Sequence, residues 1–233
     1  MNALSIDGLV SGYGEAMVLR DVSLHVAPGE VLAVLGKNGM GKTTLLKTIM
    51  GFLSAHSGRI ESFGEAVSGS PPHLLAARGI AYSPQDQAIF QDLSVEENLR
   101  VGLPRGTSFS AGLERIAGLF PFLAKRRRQR AGTLSGGEQK MLIIGRALLA
   151  RPRLMLIDEI TEGLQPSVIT RLGEVLRAEK KSGGTAILLV EQNVRFALSL
   201  ADRYAVLARG EIVDEGDARL PGADASVADH LSV

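Results

Sequence analysis

The densest chemistry in the chain lies in eight consecutive residues. Gly36-Lys-Asn-Gly-Met-Gly-Lys-Thr43 fits the pattern G-x-x-x-x-G-K-[ST]. It follows the apolar run Val31–Leu35 and precedes a helical pattern reaching about Met50. Glycines let the backbone curl, so that successive N–H groups of Gly36, Lys37, Asn38, Gly39, Met40 and Gly41 converge on one anion. The helix that follows adds its partly positive N-terminus at Lys42, Thr43 and Thr44. The Lys42 ammonium suits the β- and γ-phosphates of a nucleotide. The Thr43 hydroxyl suits Mg²⁺, which prefers hard oxygen ligands. A purely structural glycine turn would need neither the Lys nor the Thr at these offsets.

A second group of chemical residues closes another apolar run, Leu154-Met-Leu-Ile-Asp-Glu159. In open α/β sheets ligands gather at the carboxyl ends of the strands. Asp158 is therefore expected in the Mg²⁺ shell, directly or through water, with Glu159 polarising the attacking water. Alone, a strand with a charged end says little. Beside a phosphate loop it points to hydrolysis of a nucleotide's phosphate.

Leu134-Ser-Gly-Gly-Glu-Gln139 narrows the class. A Ser and two glycines at a helix start form a second anion cradle. Here the sequence resembles the ATP-binding-cassette (ABC) family, whose signature is LSGGQ; Glu138 stands where Gln is usual. The resemblance runs from Leu4 to about Gly216. It implies two chains in head-to-tail contact, with Ser135 and Gly137 of one facing the nucleotide held by Lys42 of the other. It further implies that Tyr13 stacks on adenine. Gln85, in Tyr82-Ser-Pro-Gln85, would touch Mg²⁺ and water on a loop joining two lobes. Gln192 stands in Val190-Glu-Gln-Asn193 where most members carry a His that contacts the γ-phosphate; a Gln can donate a hydrogen bond but cannot titrate. Ile160 replaces the usual Pro and Gln165 the usual Asp. These departures resemble the shorter ATPase of branched-chain amino acid importers, or of their urea and short-amide relatives. That branch implies permease subunits in the membrane, a second ATPase chain and, indirectly, a periplasmic solute-binding protein.

The elements that must position these residues follow from patterning. Leu4–Val10 and Val22–Val26 alternate as half-buried strands. Val31–Leu35, Leu154–Ile157 and Ala186–Val190 are continuous apolar runs, as central parallel strands require. Ser94-Val-Glu-Glu97 and Ser135-Gly-Gly-Glu138 match the capping box, so the stretch from Ser94 to Ala150 reads as helical. Pro166 to about Lys180 reads as a helix, and Arg209-Gly210 as the turn of a closing hairpin. The expected fold is α/β: a P-loop NTPase with a mostly parallel core sheet, an antiparallel β layer and a helical subdomain. We expect one domain, with a RecA-like lobe over 1–84 and 151–216, a helical lobe over about 85–150, and a tail over 217–233 that carries no readable signal.

Composition bounds the rest. The 233 residues carry 26 Lys plus Arg against 25 Asp plus Glu, and no Cys. Disulfide frameworks, thiolate zinc sites and a Cys nucleophile are thereby excluded. No run reaches the ~18 apolar residues of a membrane span, and the N-terminus lacks a signal-peptide pattern. A cytoplasmic chain, peripheral to the membrane, is expected. The basic run Lys125-Arg-Arg-Arg-Gln-Arg130 reads as a solvated face. Without its five cations the formal charge falls from +1 to −4, so no general basic field speaks for nucleic acid. Only 50 residues separate Gln85 from Ser135, with no heptad run, which argues against the coiled-coil ABC ATPases of DNA repair. A non-transport regulatory ATPase is the other alternative.

Overall fold

Three strands of the larger sheet carry candidate functional loops because their sequences can be buried on both faces. The computed structural model describes residues 1–86, 88–103 and 106–232, with 182, 183 and 232 described by backbone alone. In chain order the elements are β1 (Leu4–Tyr13), β2 (Ala16–Val26), β3 (Val31–Leu35), α1 (Lys42–Ile49), β4 (Ala55–Ser62), β5 (Glu65–Ala66), α2 (Pro72–Ala77), β6 (Ile80–Ser83), α3 (Val95–Val101), α4 (Phe109–Leu119), α5 (Pro121–Lys125), α6 (Gly136–Leu149), β7 (Leu154–Asp158), α7 (Pro166–Gly183), β8 (Ala186–Glu191), α8 (Val194–Leu200), β9 (Arg203–Ala208), β10 (Glu211–Asp217) and α9 (Ala223–Ser232).

The larger sheet has the order β10-β9-β3-β8-β7-β6. It is parallel from β9 to β6, with β10 antiparallel at one edge. Every residue of β3, β7 and β8 is buried, which explains their unbroken apolar runs. Side chains alternate between two cores. Val31, Ala33, Leu35, Ile157 and Leu189 face α6, α7, α8 and the helical insertion. Leu32, Val34, Leu156, Leu188 and Val190 face α1 and the second sheet. That second sheet, β2-β1-β4-β5, is antiparallel.

The strand register decides where the chemistry meets. Leu35 pairs with Glu191, and Asp158 with Val190, so β3, β8 and β7 end at one level. The loop after β3, the carboxylates after β7 and the Gln192 segment after β8 therefore share one edge of the sheet.

The structure adds elements with no clear sequence pattern: β4, β5, α2 and α9. The tail is an ordered helix whose Val227 is fully buried and Ala223 nearly so. Ser226 Oγ donates to Asp214 on β10 at 2.7 Å, and Tyr204 Oη donates to the same oxygen at 3.1 Å. Residue 233 of the tail lies outside the described residues. In the basic run, Arg126, Arg127 and Arg130 form ion pairs with Glu138, Glu96 and Asp92, as a solvated face would.

Candidate functional site

Two glycines shape the loop between β3 and α1. Gly41 caps α1 with φ 105°, a left-handed conformation that a side chain would strain. Gly36 passes so close to β9 that a Cβ would lie 2.5 Å from the Leu207 carbonyl oxygen. Lys42, the first helical residue, is buried. Its Nζ donates to the carbonyls of Gly36 at 2.7 Å and Lys37 at 2.9 Å, and pairs with Glu159 Oε1 at 2.9 Å. Met40 is fixed by its sulfur, which accepts the Arg209 N–H at 3.2 Å.

A cleft of about 410 Å³ opens at this loop, lined by Tyr13, Asn38, Gly39, Gly41, Lys42, Thr43, Thr44, Gln85 and Glu159, together with Val18. Tyr13, at the end of β1, is half exposed at its rim. The chemistry of the lining fits a nucleotide: loop amides and a lysine for phosphates, and an aromatic ring for a base. Hard oxygens for a cation lie beneath. Thr43 Oγ1 donates to Asp158 Oδ1 at 3.2 Å, and Tyr82 Oη donates to Asp158 Oδ2 at 3.3 Å. Among the described residues no cluster of three or more His, Cys, Asp or Glu could hold a metal unaided. A cation here would take further oxygens from the phosphates.

Asp158 has no exposed surface. Burial pushes its carboxyl up to about 6 and neighbouring Glu159 adds to the rise, while the Thr43 and Tyr82 hydroxyls and Lys42 pull it down. Burial also raises Tyr82, with the Asp158 charge as the next cause. Glu159 itself has φ 42°. Its N–H donates to the Val190 carbonyl at 3.0 Å.

Gln192 lies on a neighbouring cleft of about 280 Å³ that shares Glu159 with the first. It is exposed, as is Ser135. Gln85 donates through Nε2 to Glu162, and its backbone carbonyl accepts from Lys140 on α6. Burial lowers Lys140 from the usual lysine range, against the pull of Asp86, Glu162, Asp158 and Glu191. Ser135 and Gly137 line neither cleft. Ser135 caps α6: its Oγ accepts the Glu138 N–H at 3.4 Å, and Glu138 accepts the Ser135 N–H at 3.0 Å. Tyr82, Thr161, Glu162 and Glu191 also lie at the site, with no role assigned to them by the sequence motifs. For Glu191 a signal existed, since it ends an apolar strand in a carboxylate just as Asp158 does.

A family model described as ABC transporter matches residues 19–162. The high-affinity branched-chain amino acid transport ATP-binding protein BraG of Pseudomonas aeruginosa is 43% identical, covering 93% of this chain and 94% of that one. The probable branched-chain amino acid transport ATP-binding protein LivF of Archaeoglobus fulgidus is 36% identical, over 90% of each. A solved nucleotide-free ATP-binding cassette from an ABC transporter superposes with TM-score 0.85 at 28% identity, over 98% of this chain and 96% of that one. The motifs, the register that gathers them and these matches agree: the chain belongs to the ABC transporter family of ATP-binding proteins, which hydrolyse ATP to power transport.

Proposed function

We propose that this chain is the ATP-hydrolysing subunit of an importer of branched-chain and other hydrophobic amino acids. It sits on the cytoplasmic face of the membrane through permease subunits, beside a second ATPase chain, and serves a periplasmic solute-binding protein indirectly. The single observation that carries the amino-acid reading is the 43% identity to BraG over nearly the full length of both chains.

Each residue has a derivable task. Lys42 and the loop amides bind the phosphates of ATP, and Tyr13 offers its exposed ring to the base. Thr43, Asp158 and Gln85 are the residues that would hold Mg²⁺. When bound, that ion neutralises charge on the β- and γ-phosphates. Lys42 exchanges its Glu159 partner for the more highly charged γ-phosphate, and Glu159 is then free to accept a proton from the attacking water. Gln192, on the shared edge, donates a hydrogen bond to the γ-phosphate without titrating. Ser135 and Gly137 lie outside this chain's own cleft, so they serve the nucleotide of a second chain.

A different surface suits the permease. An apolar cleft of about 870 Å³, lined by Met50, Phe52, Tyr82, Leu103, Ile143 and Ala147, opens between the α1–β6 region and the helical insertion. Phe52 and Val101 on it are 55% and 57% exposed, which marks an interaction surface. Gln85 lies close by, gripped by α6 through Lys140.

The test is uptake of radiolabelled leucine, urea and a short amide by a strain lacking this chain, with and without the gene restored. Restoration of leucine uptake alone is expected. Restoration of only urea or amide uptake would move the assignment to that branch. Failure to restore any uptake would favour the regulatory alternative.

A further inference from the structure

Glu191 has no part in the chemistry above, yet it is a carboxylate only 1% exposed at the end of β8. Among the described residues, its side-chain hydrogen bonds run to the two segments that carry the proposed catalytic groups. Oε1 accepts the Thr161 N–H at 3.1 Å, and Oε2 accepts the Thr161 hydroxyl at 2.8 Å. Oε2 also accepts the Asn193 N–H at 3.4 Å. One residue earlier, the Val190 carbonyl accepts the Glu159 N–H. The side chain thus continues the β7–β8 pairing past the end of β7, where the backbone ladder stops.

Two further facts show what this extension holds. Glu159 is left-handed, a conformation that strains a residue with a Cβ. Such conformations persist only where the surroundings over-determine them. The Val190 bond before Ile160, the burial of Ile160 and the two Glu191–Thr161 bonds after it supply that constraint. On the other side, Asn193 caps α8 by accepting the Phe196 N–H at 3.1 Å. Gln192 is therefore fixed between Glu191 and a helix cap. Three donors converge on two carboxylate oxygens, and an amide would offer only one accepting oxygen. Burial raises the Glu191 carboxyl and the Thr161 and Asn193 donors lower it.

We infer that Glu191 is a positioning residue for hydrolysis: its carboxylate locks the Glu159 and Gln192 segments to each other. It acts through its neighbours rather than on the nucleotide. The inference rests on Glu159 being the group that activates water.

The test compares Glu191→Ala, Glu191→Gln and Thr161→Val with wild type in the purified full chain. Four quantities are measured: kcat, Kd for ADP, melting temperature, and hydrogen exchange at the amides of residues 159, 161 and 193. Expected in Glu191→Ala is faster exchange at these amides, an ADP Kd within about twofold, and a kcat lower by roughly 10- to 100-fold, the scale of a misplaced catalytic group. Glu191→Gln and Thr161→Val should lose less, each keeping part of the bonding. If Glu191→Ala fails to fold, those two variants decide. A kcat within twofold of wild type in all folded variants overturns the inference. So does a parallel fall of kcat and ADP affinity, which would mean a general loss of structure. Glu159→Gln runs alongside: wild-type turnover there would overturn the Glu159 reading itself. A dead Glu159→Gln beside normal Glu191 variants overturns only the clamp.

Discussion

Lys42 and Glu159 hold each other in almost complete burial, so each of these proposed catalytic charges is neutralised by the other. The phosphate loop and the Asp158–Glu159 pair were legible in the sequence because each is a short run whose residue types state its chemistry. Glu191 and Thr161 were not, because their partnership spans 30 residues and depends on register. Asp158 yields a prediction with a definite sign. Its carboxyl is raised to about 6 in the fold, above its ordinary value of 3.8. A raised acid adds stability that is complete below pH ~4 and is lost as pH climbs through 6. Asp158→Asn does not titrate. Its stability relative to wild type should therefore rise between pH 4 and pH 7, by up to about 3 kcal/mol at 1.36 kcal/mol per unit. Urea denaturation at the two pH values measures it; a difference independent of pH contradicts the burial argument.

Elements announced themselves where sequence and burial agree. β3, β7 and β8 are apolar throughout because both faces are covered, and both predicted capping boxes are present at Ser94 and Ser135. β4 gave no signal: Ala55–Ser62 is largely polar and exposed, and its strand form comes from pairing with β1. The helix α9 likewise depends on Val227, Ser226 and Asp214, contacts with distant strands that no local pattern states. The cap of α3 can be tested alone. Ser94 Oγ accepts the Glu97 N–H at 3.2 Å, and Glu97 returns a bond to the Ser94 N–H at 2.7 Å. Ser94→Ala should lower stability by about 1 kcal/mol with nucleotide affinity unchanged. An unaltered denaturation midpoint would show that the cap contributes nothing.

At the scale of the whole molecule, the described residues form a candidate nucleotide cleft at the phosphate loop, and the signature residues Ser135 and Gly137 stand apart from it. Family resemblance supplied the idea of a two-chain sandwich. The fold supports it by placing Ser135 and Gly137 outside the cleft while leaving Ser135 exposed. With Mg²⁺ and ATP, Glu159→Gln should sediment as a dimer, because nucleotide stays bound and unhydrolysed. Adding Ser135→Ala should shift that equilibrium toward monomer. A monomer in both cases would refute the sandwich for this chain alone and point to a different ATPase partner.

Everything proposed for hydrolysis turns on Glu159, which bound ATP would release from Lys42 to activate the attacking water. Steady-state ATP turnover by Glu159→Gln, with ATP affinity measured on the same preparation, tests this most directly. Turnover should fall by roughly 100-fold or more, as for loss of a general base, with affinity retained. Turnover equal to wild type at full ATP occupancy would contradict it.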